Sequence, residues 1–102
     1  MQEMKQRAYE VVRKAVVELG EDMGFPSLLK PDESTQLFGG DDGIDSLSLV
    51  RLVADIERAT EHELGKSVVL ADERAMSRRN SPFRTVATLS DLLWERLGEV
   101  HD

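Results

Sequence analysis

Apolar residues spaced three and four apart govern this chain from its first turn onward. Between residues 3 and 19 they fall at Met4, Ala8, Val11, Val12, Ala15, Val16 and Leu19, one stripe along an amphipathic helix, with Gly20 as its predicted stop. A second stripe, Leu49, Leu52, Val53 and Ile56, predicts a helix from Asp45 and Ser46 to about Glu61. Leu47, Val50 and Ala54 form a further apolar strip on that helix, wider than one core needs, so part of it is expected to face a partner or ligand. Leu89, Leu92, Leu93 and Leu97 predict a last helix over about 89–97, starting at Thr88 or Ser90 and ending at Gly98, with Trp94 partly exposed. Before it, Ser81 and Pro82 match an N-cap and first-turn pair, predicting a short helix over 82–87 that buries Phe83 and Val86.

The connections are just as informative. From Glu21 to Gly43 the periodicity disappears, and Gly24, Pro26, Pro31, Gly39, Gly40 and Gly43 leave a loop over about 20–44 with short turns. Phe25, Leu28, Leu29, Leu37 and Phe38 are expected to pin it to the core. So long a loop in a small domain is uncommon; it is usually functional or joins two elements that run parallel. The polar segment 72–80, with Arg74, Arg78 and Arg79, predicts a surface helical turn or a mobile flap. Val68-Val69-Leu70 lacks a strand partner and is expected to be core-packing loop. The fold class that follows is all-α, a bundle of up to four helices in one domain over 1–102.

Composition removes several function classes. A length of 102 residues closes one modest core and leaves no room for an active site between domains. No cysteine is present, so there is no disulfide framework and no thiolate zinc site, and any thiol chemistry must arrive on an attached group. Twenty acidic against 13 basic residues give a net charge of -7, which repels nucleic acid and anionic lipid surfaces and favours basic partner proteins. No stretch reaches the roughly 20 apolar residues of a membrane span, and Met1-Gln2-Glu3-Met4-Lys5 lacks a signal-peptide core. A monomeric cytoplasmic protein without membrane insertion is expected.

Chemistry concentrates in Asp41-Asp42-Gly43-Ile44-Asp45-Ser46-Leu47-Ser48-Leu49-Val50. A serine hydroxyl here stands where a loop turns into a helix, directly after an aspartate and ahead of an apolar face. Free backbone N–H groups and the macrodipole at a helix N-terminus favour a negatively charged substituent, so a phosphodiester on Ser46 would be stabilised there. Asp45 is placed to hold Mg²⁺ while a modifying enzyme transfers a phosphate-linked group to its neighbour. Asp and Ser are also the ordinary residues for capping a helix, which is the plainer interpretation of the pair.

Gly43-Ile44-Asp45-Ser46-Leu47, followed by Leu49-Val50, resembles the G-[hydrophobic]-D-S-L attachment motif of acyl and peptidyl carrier proteins. The likeness extends to the order of elements: a helix upstream across a long loop, the motif opening the second helix, then a short and a final helix. It implies a four-helix bundle of acyl carrier protein type that is not an enzyme. Ser46 would bear a covalent 4'-phosphopantetheine arm carrying acyl groups as thioesters. Asp45 would bind the transient Mg²⁺ of the phosphopantetheinyl transferase. Leu47, Val50 and Ala54 would contact that transferase and the acyl-loading and acyl-using enzymes, whose basic docking patches suit Asp41, Asp42, Asp45, Asp55, Glu57, Glu61 and Glu63. Two departures stand out from the fatty-acid type: Arg51 at a usually acidic position, and four arginines against two acids between Asp72 and Arg84. They imply a carrier dedicated to a lipid, envelope or secondary-metabolite pathway.

Other functions fit less well. A hydrolase built from Ser46 with His62 or His101 lacks a G-x-S-x-G elbow. Asp41, Asp42 and Asp45 miss calcium-loop spacing, and Gly39-Gly40 has neither the strand nor the lysine of a phosphate loop. Met4, Met23, Met76 and Trp94 suit core or edge positions. The competing function is a helical adaptor that docks a partner through the second-helix strip with Ser46 unmodified.

Overall fold

A computed structural model describes residues 2–39 and 43–99. Gly40, Asp41, Asp42 and His101 lie outside the described residues, and with them part of the expected acidic surface. Among the described residues the chain is all-helical: α1 (Gln2–Met23), α2 (Ser46–Leu64), α3 (Glu73–Met76) and α4 (Val86–Glu99), with a 3₁₀ turn at Pro26–Leu28. No strand forms among them; Gln36 and Thr85 make one isolated antiparallel bridge. Helix α1 is shared, packing against α4, α2 and the 3₁₀ turn.

The stripe on α1 is buried as expected from Ala8 to Leu19, but Gly20 does not end the helix. Gly24 does, adopting φ 74°, while the Phe25 N–H reaches back 2.9 Å to the Gly20 carbonyl in a Schellman closure. Gly20 is there for space: a Cβ at this position would lie 2.8 Å from the Leu28 Cβ. The 3₁₀ turn therefore folds directly onto the last turn of α1 and buries Leu28. Leu37 is buried as well, Phe25 and Phe38 are half-buried, and Leu29, expected in the core, is exposed.

Helices α1 and α2 run antiparallel rather than parallel. Arg51, near the start of α2, pairs with Asp22 at the end of α1, while Lys14 lies 3.6 Å from Glu63 at the far end of α2. Helix α2 outlasts the expected end at Glu61 and stops at Gly65, whose φ of 67° and N–H to the Glu61 carbonyl form a left-handed cap.

The expected short helix over 82–87 is absent. The Ser81 hydroxyl oxygen accepts the Phe83 N–H at 3.2 Å, which closes a local turn around Pro82 instead. Helix α4 begins at Val86, earlier than Leu89, because Thr85 and Thr88 cap it reciprocally. The Thr85 Oγ1 accepts the Thr88 N–H at 3.1 Å, and the Thr88 Oγ1 accepts the Thr85 N–H at 3.0 Å. The next two orphan donors are met by the loop: Val86 N–H by the Thr35 carbonyl at 3.1 Å and Ala87 N–H by the Glu33 carbonyl at 2.9 Å. The helix then continues through Gly98 to Glu99 and buries Leu89, Leu92, Leu93 and Leu97.

The arginine-rich segment is a surface helical turn tied down at several points. Val68 and Leu70 are buried, and the Leu70 N–H donates to the Glu57 carboxylate at 2.9 Å. Asp72 caps α3 by accepting the Ala75 N–H at 2.9 Å, and the same oxygen takes a 2.9 Å bond from Arg96. Arg96, only 3% exposed, thus carries its charge from α4 to the cap of α3. Arg74 to Glu99 at 2.7 Å and Arg78 to Glu95 close the seam.

Two outcomes follow. Gly20→Ala should lower the urea midpoint, because overpacking of about 1–3 kcal/mol exceeds the roughly 0.5–1 kcal/mol gained in helix propensity. Acid should release α3 before α4. The Ala75 N–H holds the Asp72 carboxyl below its ordinary value of 3.8, and Arg74 holds Glu99 below its ordinary 4.5. Both groups stabilise the fold above those values and lose that contribution as pH falls through their lower folded-state pKa values. Amide protection factors at Ala75 and Met76 should drop across that range, and Asp72→Asn should flatten the dependence.

Candidate functional site

The start of α2 is placed by backbone bonds from across the molecule. The Leu37 N–H donates 2.6 Å to the Arg84 carbonyl, and the Phe38 N–H donates 3.1 Å to the Phe83 carbonyl. Ile44, buried in the core, donates its N–H 2.7 Å to the Leu37 carbonyl. The next residue, Asp45, is extended at φ −76°, ψ 170° and becomes the N-cap. One carboxylate oxygen, Oδ1, accepts the Ser48 N–H at 2.7 Å, and that bond holds the Asp45 carboxyl below its ordinary pKa. The other, Oδ2, has no partner among the described residues.

Ser46 is the first residue of α2. Its side chain is exposed and its hydroxyl has no hydrogen-bond partner among the described residues. Its own N–H and that of Leu47 have no intrahelical acceptor, as at any helix start. Two residues on, Ser48 points the other way around the helix: it is 2% exposed and its Oγ is unpaired. Of the two serines in Asp45-Ser46-Leu47-Ser48, only Ser46 offers a reachable oxygen.

The strip beyond Ser46 faces outward. Leu47 is 79% and Val50 65% exposed, and Ala54 is exposed as well, whereas Leu52, Val53 and Ile56 are buried and Leu49 is half-buried. Arg51 beside this strip is engaged by Asp22 and Asp55, and Asp55 also receives Arg58 at 3.2 Å. Glu57 is occupied by the Leu70 N–H and Glu63 by Lys14. Asp55 and Glu63 are thus balanced by cations inside the molecule, Glu57 is hydrogen-bonded, and the side chains of Leu47, Val50 and Ala54 beyond Ser46 are apolar.

Among the described residues Ser46 has no histidine beside it. His62 is exposed in the last turns of α2, about 24 Å along the helix from Ser46 at 1.5 Å per residue. No group of three or more His, Asp or Glu side chains able to hold a metal forms among the described residues. Among the described residues no helix is long and apolar enough to cross a membrane.

Arg96 and Ser48 were beyond reach of a periodicity argument, since a charged and a hydroxyl side chain are ordinarily placed outside. The Thr85–Thr88 pair was within reach: Thr-x-x-Thr ahead of an apolar run is a variant of the capping box. Comparison with models of known families, with curated proteins and with solved structures finds no match for the chain. The outward strip sets the outcome of substitution there. Val50→Glu and Ala54→Glu should leave unfolding stability within about 0.5 kcal/mol, whereas Leu52→Ala, two residues from each but on the opposite, buried side of the helix, should cost about 2–5 kcal/mol in urea denaturation.

Proposed function

We propose that this chain is an acyl carrier protein, holding a 4'-phosphopantetheine arm on Ser46 and performing no bond chemistry of its own. One observation carries the proposal: an exposed, unengaged hydroxyl at the first position of a 19-residue helix, next to a capping aspartate with a spare oxygen. Accessible oxygen, open backbone donors and the positive end of the helix together suit attachment of a phosphodiester. The residues present fit the arm, since nothing in the described structure covers Ser46. The arm would supply a terminal thiol on which acyl groups ride as thioesters, chemistry that a chain without cysteine lacks.

Each neighbour has a part. Asp45 anchors the helix start through Oδ1 and keeps Oδ2 for the transient Mg²⁺ of the phosphopantetheinyl transferase. Leu47, Val50 and Ala54 offer the transferase, and then the acyl-loading and acyl-using enzymes, a dry contact beside the attachment point. Arg51, held by Asp22 and Asp55, removes the negative charge expected at the centre of that contact. This supports service in a dedicated lipid, envelope or secondary-metabolite pathway, by a cytoplasmic monomer.

Incubation with coenzyme A, Mg²⁺ and a broad-specificity phosphopantetheinyl transferase should add one phosphopantetheine mass, absent from Ser46→Ala and retained in Ser48→Ala. A folded protein that gains no mass would point to the adaptor function, with the α2 strip docking a partner directly.

A further inference from the structure

Away from Ser46, an open groove of about 690 Å³ lies between α1 and α4. Lys5, Gln6 and Tyr9 line it from one face of α1, and Ala87, Ser90, Asp91 and Trp94 from one face of α4. Glu33 closes the end where its carbonyl accepts the Ala87 N–H. The space exceeds what a single ion fills and matches side chains of a peptide.

Its chemistry is specific. The Lys5 ammonium stands 5.1 Å from the centre of the Trp94 ring, so the ring face already receives a cation. Lys5 is exposed, held there by no ion pair among the described residues, and can swing away. Glu33 and Asp91 are exposed too, and neither carboxylate has a partner among the described residues. This contrasts with Asp72, Glu95 and Glu99 at the α3 seam, where each acid is matched by an arginine. One cation on an aromatic face beside two unmatched carboxylates leaves a site short of positive charge, in a chain of net charge -7.

We infer that this groove docks an arginine-bearing segment of a partner protein, with the guanidinium stacked on Trp94 in place of Lys5 and paired with Asp91 or Glu33. Arginine suits the site better than lysine because its flat, weakly hydrated head can stack on a ring and still donate to a carboxylate in the ring plane. Lys5 is then an internal stand-in that the partner displaces. The surface is built from elements other than the Ser46 turn and does not depend on modification there.

Trp94 is the sole tryptophan, so its fluorescence reads the groove directly. Titration of the full chain at low salt with acetyl-Arg-Gly-Arg-amide should give a saturable change, with the citrulline analogue, neutral and of the same shape, giving none. Asp91→Asn and Glu33→Gln should each weaken binding roughly two- to fivefold, the effect of one exposed ion pair, and Glu18→Gln should not. Lys5→Ala should tighten binding about two- to fivefold by removing the competing cation, while Lys30→Ala, with the same change in net charge, should not. A linear or absent response, equal binding of the citrulline peptide, or a Lys5→Ala midpoint no different from that of Lys30→Ala would overturn the inference. Ser46→Ala should bind as the parent does, which keeps the outcome separate from that of the carrier proposal.

Discussion

Leu37 joins the two helix starts on which the molecule depends. Its N–H is given to Arg84, just ahead of α4, and its carbonyl receives Ile44, just ahead of α2, while its side chain is fully buried. A connection of more than 20 residues would ordinarily leave the start of α2 loosely placed, because closing a loop restricts its ends and little else. Here two short backbone bonds and one buried leucine transfer the position of α4 to α2. The orientation of Asp45 and the outward aim of Ser46 follow from that transfer.

Charge is spent mainly on joining elements. Arg51 links α2 to α1, Arg96 links α4 to the cap of α3, and Arg74 and Arg78 close the same seam. Exposed pairs such as Arg51–Asp22 and Arg74–Glu99 add little stability singly, but with the buried Arg96 they determine which segments lie together. They also leave the chain's excess negative charge unevenly spread. The α2 strip emerges nearly neutral and apolar, and the groove between α1 and α4 retains unmatched acids.

The sequence made the helices legible where burial follows a 3.6-residue period. The inward faces of α1, α2 and α4 and the outward strip of Leu47, Val50 and Ala54 rest on that period, and the loop character of Val68 to Leu70 on the want of a strand to pair with. Boundaries were less legible, because ends are decided by hydrogen bonds that periodicity does not register. Gly20 has the residue type of a stop but serves a close approach to Leu28, and the stop lies at Gly24. Ser81 and Pro82 have the types of a helix start, yet the reciprocal threonines four residues later compete successfully for that role. The site residues Asp45 and Ser46 were legible as a cap followed by a free hydroxyl. The burial of Ser48 and the long-range tether through Leu37 were not, since both depend on contacts between distant parts of the chain.

Helix α1 is the common support of the bundle. Helices α2 and α4 each lean on it, and among the described residues their own backbones do not meet. The two long helices beyond the first loop are therefore joined through α1 and through the bonds at Leu37, not by backbone contact with each other. A protease nick between Leu29 and Lys30, both exposed, should yield two fragments that hold their shape only while reassociated, because the buried stripe of α1 would leave with one of them.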